Sequence, residues 1–345
     1  MSRRDLVVLG GYGATGREVA RALAGWFPGR VVVAGRDLAR ARELAWALPG
    51  AVRAIRVDVE RPAEVAAAAG SAAVVVMCVE RANPAVARTC VERGAHYVDI
   101  CATSPVLARI EDLHGAAVAR GTTVALSVGL APGLTNVLAA ACVRRLPDAT
   151  GVDLTVLLGT AGDHGPDALR WLVEQLAAPR PGARRQRVEL PGSGTRTAYP
   201  FGFSDQHALA ASLGIPVTTR LCLDSAPLTG ALFALRRAGL FTALRRLGAD
   251  GPLVGAMARI GFGSDRWVVH AAATGAGGRR RWAAASGHGE SAATARVAAH
   301  VAALLDTGTA PAGVHHLDRL VEPDAFLDRL RADGVALHGA VAVPA

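Results

Sequence analysis

Four apolar residues, Leu6 to Leu9, run directly into Gly10-Gly11-Tyr12-Gly13-Ala14-Thr15-Gly16, and Val19, Ala20, Leu23 and Phe27 then recur at helical spacing. A short buried strand, a glycine turn and a helix in immediate succession mark the start of a βαβ unit. Within the turn, Gly11, Gly13 and Gly16 form G-x-G-x-x-G. Glycine serves there for a tight turn, for close approach of backbone N–H groups to a pyrophosphate, and for close packing of helix on strand. The helix N-terminus offers free N–H groups and a positive dipole end to the same anion. Gly11, Tyr12, Gly13, Ala14, Thr15 and Gly16 are therefore candidate dinucleotide-binding residues; the plain alternative is a glycine turn that holds no ligand.

The same rhythm continues. Strands are expected at 31–34, 52–57, 73–78, 97–100 and 123–127, separated by helices at 38–48, 62–70, 84–94 and 106–119. Six strands alternating with helices predict an α/β fold, a doubly wound parallel sheet of the Rossmann type with right-handed crossovers. After Gly129 the rhythm changes: a helix at 134–145 and a strand at 152–158 precede a Pro-, Gly- and Arg-rich stretch, 178–197, that reads as a long loop or loose hairpin. Segments 217–223, 266–274 and 279–285 alternate like antiparallel strands, the last two joined through Gly275-Ala276-Gly277-Gly278. The second half thus reads as an α+β unit, a mixed sheet with helices on one face, and amphipathic helices at 290–305 and 323–331 close the chain. The expected division is a Rossmann domain at 1–130, a substrate-binding and dimerisation domain at 131–290, and C-terminal helices at 291–345 packing back on the first domain.

An NAD-specific site places Asp or Glu at the end of the second strand to hold the ribose 2′-hydroxyl. This chain has Gly35-Arg36 there, with Asp37 one residue later. Arg36 can fork onto a 2′-phosphate, where a carboxylate would repel it, so NADPH is favoured over NADH. Arg40 is a second candidate phosphate partner. The alternative keeps Arg36 on the surface and makes Asp37 the ribose ligand. Asp58, ending the third strand, is a candidate near adenine or a cap of the next turn, and Cys78, ending the fourth strand, is a further candidate cofactor-binding residue.

The chain's 38 basic residues against 29 acidic give a formal charge of +9, and every one of the 38 is arginine. Without lysine there is no Schiff-base chemistry, no P-loop lysine and no Ser-Lys mechanism. The arginines are scattered and lack the interleaved aromatics of a stacking platform, so nucleic acid is not an expected partner. The five cysteines, Cys78, Cys90, Cys101, Cys142 and Cys222, have no CxxC spacing and read as reduced buried thiols of a cytoplasmic protein. No His/Cys pattern has metal-ligand spacing, and no apolar run is long enough to span a membrane.

The layout resembles the saccharopine dehydrogenase-like oxidoreductases. The matching segments are VVLGGYGATGREVARAL (7–23), AGRDLARARELA (34–45), CVERGAHYVDICATSP (90–105), ALSVGLAPGLTNVLA (125–139) and GVHHLDRLVEPDAFLDRLRADGV (313–335). The resemblance implies a nicotinamide cofactor on the first domain, a second domain that supplies the substrate pocket and often the dimer contact, and reduction of an imine or its reverse. Two positions depart from the pattern. Ala131 stands where GLDPG has its Asp, and Ala102 where a TTSYVSP-like segment has its Tyr. Both polar groups that would meet an amino-acid substrate are absent, which implies a more apolar pocket wall.

Loops at the carboxyl ends of the strands offer Thr103, Pro132, Gly133 and Asn136 as candidate substrate contacts, each also readable as helix capping or turn structure. Candidate proton donors are Asp99, if burial raises its pKa, and His164 and Tyr199 in the second half; Asp163 precedes His164 in a Gly-rich loop. The apolar stretch 228–262, with Arg236-Arg237 and Arg245-Arg246, reads as an amphipathic helix pair forming a pocket lid or dimer face, as a basic surface that meets a membrane or lipid-like substrate, or as core helices with an arginine-rich outer face. The resulting expectation is a homodimeric NADPH-dependent reductase acting on an imine or an activated C=C or C=O bond of a small, partly apolar metabolite of specialised metabolism. The alternatives are a non-catalytic NADP(H)-binding sensor or scaffold, and a non-redox enzyme that recycles bound NAD(P).

Overall fold

The computed structural model describes residues 4–161, 166–179, 182–248, 251, 254–255 and 263–341. In chain order its strands are β1 (Asp5–Leu9), β2 (Val31–Gly35), β3 (Arg53–Arg56), β4 (Ala72–Met77), β5 (His96–Asp99), β6 (Thr123–Leu126) and β7 (Ala149–Leu158). They continue as β8 (Gln186–Leu190), β9 (Gly194–Pro200), β10 (Val217–Leu223), β11 (Arg266–Gly275), β12 (Arg280–His288), β13 (Gly313–His316) and β14 (Ala336–Gly339). The chain divides into two units, Met1–Gly129 with Ser291–Leu320, and Leu130–Glu290 with Val321–Ala345.

In the first unit all seven strands are parallel, in the order β13-β6-β5-β4-β1-β2-β3. Leu6–Leu9, Val31–Ala34 and Val74–Met77 are buried on both faces, which is why they read as unbroken apolar runs. The strand order reverses between β1 and β4, and that switch opens a crevice at their carboxyl ends. Six strands were expected; the seventh, β13, pairs with β6 from Gly313↔Thr123 to His316↔Leu126. The Ser127 hydroxyl also reaches His316 Nδ1 at 2.8 Å, and His316 Nε2 lies 3.0 Å from Glu111 Oε1. The expected helix at 106–119 is two, Ser104–Glu111 and His114–Arg120, turning at Asp112 and the buried Leu113.

The second unit holds a mixed sheet, β14-β12-β11-β7-β10-β9-β8. Here β10 corrects the sequence reading: it runs parallel to β7, from Val217↔Val152 to Leu223↔Leu158, and antiparallel only to β9. The long connection from β7, through the helices Pro166–Ala177 and Asp205–Leu213 and the β8–β9 hairpin, gives the chain room to return in the same direction. Residues 186–200, which overlap the loop or loose hairpin expected at 178–197, form the regular antiparallel pair β8–β9. Tyr199, Leu221, Val156 and Val269 lie in register on one face, and Phe233 of the helix Ala226–Arg237 stacks on Tyr199 there. The closing segment does not return whole to the first unit. Residues 291–320 belong there, but the helix Pro323–Ala332 packs on the helix Thr135–Arg144 and β14 pairs with β12. Arg144 and Arg145 draw it in by pairing with Glu322 and Asp324.

Candidate dinucleotide site

β1 ends at Leu9 and the chain turns through Gly10, whose φ of +74° suits glycine. A Cβ on Gly16 would stand 2.2 Å from the Gly10 carbonyl oxygen, and one on Gly11 3.0 Å from the Val8 oxygen. A Cβ on Gly13 would meet only the Gly10 oxygen, at 3.2 Å. Two glycines thus hold the turn against β1, and the third leaves its outer side bare. The helix Ala14–Trp26 begins there with Gly13 as N-cap, no capping side chain and no acidic residue in its first turn. Its leading amides are left for an anion.

At the end of β2, a Cβ on Gly35 would lie 2.3 Å from Tyr12 Cε1, so the glycine makes room for the Tyr12 ring. The Tyr12 hydroxyl accepts a hydrogen bond from the Asp37 amide at 3.1 Å, and the Arg40 guanidinium lies 4.7 Å from the ring centroid. Asp37 Oδ1 accepts from the amides of Ala39 (2.9 Å) and Arg40 (3.2 Å), capping the helix Leu38–Ala47. That oxygen is committed to its own helix. Arg36 and Arg40 are exposed and have no acidic partner among the described residues. A bare helix N-terminus beside two exposed guanidiniums, that of Arg40 lying over the Tyr12 ring, suits NADPH: a diphosphate contact plus a cationic seat for the 2′-phosphate.

The other expected cofactor residues are distributed around this turn. The Cys78 amide donates to the Leu9 carbonyl at 2.9 Å, which sets the end of β4 beside the glycines; burial, reinforced by Asp99, raises its thiol. Asp58 lies two residues past the end of β3, and its Oδ1 accepts from the Glu60 amide at 3.1 Å, so it is a turn residue. Thr103 precedes the helix Ser104–Glu111, and its buried hydroxyl has no partner among the described residues.

Asp99, expected as a proton donor, is a saturated bracing carboxylate. It is 0% exposed. It accepts from Asn83 Nδ2 at 3.1 and 3.0 Å, from the Tyr97 hydroxyl at 2.7 Å and from the Cys101 amide at 2.8 Å. Burial pushes its pKa up to about 6 while those donors pull it down. The remaining expected residues belong to the second unit. Asn136 Oδ1 accepts from the Gly133 amide at 3.0 Å and braces the Pro132-Gly133 loop, whose Ala131–Pro132 peptide is cis. The Tyr199 ring stacks on Phe233 at 4.4 Å and 10°. His164 and Asp163 lie outside the described residues. Sequence reasoning missed Gly35 as the seat of Tyr12 and missed Asn83 and Tyr97 as the donors to Asp99. A tyrosine between two glycines, and a glycine closing β2, were the available signals for the first.

Residues 6–125 match the family model described as the saccharopine dehydrogenase NADP binding domain. Among solved structures, the chain is similar to an apo saccharopine dehydrogenase (L-Glu forming) from Saccharomyces cerevisiae, with TM-score 0.67 at 15% identity, covering 98% of this chain and 100% of that one. A dehydrogenase (MviM) from Clostridium difficile overlaps 96% of this chain and 97% of its own at 6% identity, with TM-score 0.44. The yeast likeness carries the fold alone, and the NADP-binding assignment rests on the domain match together with the cradle described above. Residues 6–125 are thus a domain of the saccharopine dehydrogenase NADP-binding type, within a chain that shares its fold with the yeast enzyme.

Proposed function

We propose that this chain is a reductase that spends NADPH on an imine, or on an activated C=C or C=O bond, of a small, partly apolar metabolite. The observation that carries the reading is the seat built by Gly35, Tyr12, Arg36 and Arg40 at the end of β2. Bound there, NADPH supplies a hydride. The chain's own residues hold and orient. The amides following Gly13 meet the diphosphate, and Arg36 forks onto the 2′-phosphate. Arg40, carried on the Tyr12 ring, adds a second positive charge. Ala102 and Ala131, both half-buried, replace the polar side chains expected for an amino-acid substrate, which favours a less polar one.

Two measurements test this. Purified chain should consume NADPH with amine–carbonyl pairs that form imines, followed by absorbance, and should leave free amino acids untouched. Replacing Arg36 with Ala should weaken NADPH by about thirtyfold, since a charge-assisted contact contributes about 1.5–3 kcal/mol, and leave NADH within about threefold. Equal losses for the two coenzymes would remove the 2′-phosphate from Arg36 and with it the NADPH preference.

A further inference from the structure

The second unit holds a cavity of about 750 Å³ that shares no residue with the dinucleotide turn. It lies on the face of the mixed sheet opposite Tyr199. On that face Leu157, Cys222, Val268 and Ala198 cluster with Val188 and Leu190 of β8, so the β8–β9 hairpin folds over part of the sheet. Arg266 pins the hairpin tip by donating to the carbonyls of Pro191 and Gly192, each at 2.8 Å. Beyond the sealed part the sheet stays open. There Ala272 pairs with Trp282 and Thr274 with Arg280, so Trp282 and Arg280 stand on the same face as His270. The hairpin residues from Gln186 to Gly192 form the facing wall.

The lining chemistry is specific. Trp282 is 43% exposed, and its ring lies 18° from parallel with His270 at 5.6 Å, a flat aromatic floor. Burial, with Arg280 close by, pushes His270 down to about 4, and burial with Arg266 lowers His338, so both imidazoles are neutral at pH 7. His338 Nε2 meets the Ser286 hydroxyl at 2.9 Å. Arg187 and Arg280 line the cavity without an acidic partner among the described residues, against the single carboxylate of Glu189. Gln186 contributes a buried amide oxygen with no hydrogen-bond partner among the described residues. A volume within the roughly 300–1,000 Å³ of small-molecule sites, an open indole face and an excess of unpaired arginine define one kind of occupant.

We infer that this cavity is a second ligand site, for a planar aromatic carboxylate whose ring lies on Trp282 and whose anionic group is held by Arg280. The reading is independent of the reductase assignment. Calorimetric titration of the full chain with 2-naphthoate tests it. The expected result is saturable binding with a dissociation constant below about 1 mM, and at least about tenfold weaker binding of the uncharged 2-naphthalenemethanol. Trp282→Ala and Arg280→Gln should each weaken 2-naphthoate by about tenfold while NADPH affinity, the control for a folded chain, stays within about twofold. No saturable heat up to about 5 mM, or unchanged affinity in both variants, would overturn the site. So would sedimentation showing a dimer that Trp282→Asp dissociates, because a second copy would then occupy this face.

Discussion

Two sheets of seven strands place their open chemistry in different parts of the strand. In the first unit the central strands are apolar and buried on both faces, so no side-chain row faces solvent and ligand contacts are confined to the strand ends. The turn there presents backbone to a ligand: glycines, bare amides and a helix N-terminus. In the second unit the mixed sheet carries a row of polar and aromatic side chains on one face, His270, Trp282 and Arg280, under a hairpin. A parallel sheet makes its site from conformation, whereas an incompletely covered mixed sheet makes one from side chains. The two should therefore fail differently when mutated.

The largest difference is expected from adding one carbon at each of two glycines. Gly16→Ala puts Cβ 2.2 Å from the Gly10 oxygen, and Gly159→Ala puts it 2.1 Å from the Ser264 oxygen. Backbone must move in both cases, which costs about 3 kcal/mol of the stability of the unit concerned. Only Gly16→Ala should also cost NADPH binding, by at least about a hundredfold, because the displaced backbone is itself the binding surface. Coenzyme titration of both variants checks this. Comparable losses of NADPH affinity would break the separation between the two regions.

Among the described residues each unit also buries one carboxylate, and here the two should behave alike. Asp99 and Asp205 are both 0% exposed, and burial pushes each up to about 6 from an ordinary 3.8. Asp205 is held by the Thr219 hydroxyl at 2.7 Å. Folding favours the protonated form, so each contribution is complete below about pH 4 and is lost as pH rises through about 6. His270 works in the opposite direction: pushed down to about 4, it contributes above about 6.5 and is lost as pH falls. The parent's net profile mixes these, and a difference measurement separates them. Relative to the parent, Asp99→Asn and Asp205→Asn should each gain up to about 3 kcal/mol between pH 4 and pH 7, measured by urea unfolding. A gain in one variant alone would show that the two carboxylates are not equivalent.

How much could be read in advance follows the same division. β1, β2 and β4 were legible because strands buried on both faces are apolar throughout, and the glycine turn because its spacing has a backbone cause. β13 was not: Gly313-Val314-His315-His316 offers one apolar side chain to a pattern search, and pairing with β6 alone makes it a strand. The direction of β10 was hidden because alternation records exposure, not the sense of the neighbouring strand. Tyr199 has a residue type suited to proton donation or to packing, and the stacking partner Phe233 stands thirty-four positions later, where no local pattern links the two. The row His270, Trp282 and Arg280 needs the β11–β12 register before it exists at all.

The smallest effect tests the backbone account from within the first unit. Tyr12→Phe keeps the ring that fills the space above Gly35 and carries Arg40, and removes only the hydroxyl that accepts the Asp37 amide. The exposed amide can turn to water, so the loss is one ordinary hydrogen bond, about 1 kcal/mol. NADPH affinity should fall about fivefold, because the bond fixes the turn from which Arg36 projects, and NADH affinity should scarcely move. Competitive titration of the two coenzymes measures both. A loss rivalling that of Gly16→Ala would mean that a side chain, and not the path of the chain through its glycines, makes the first site as it makes the second.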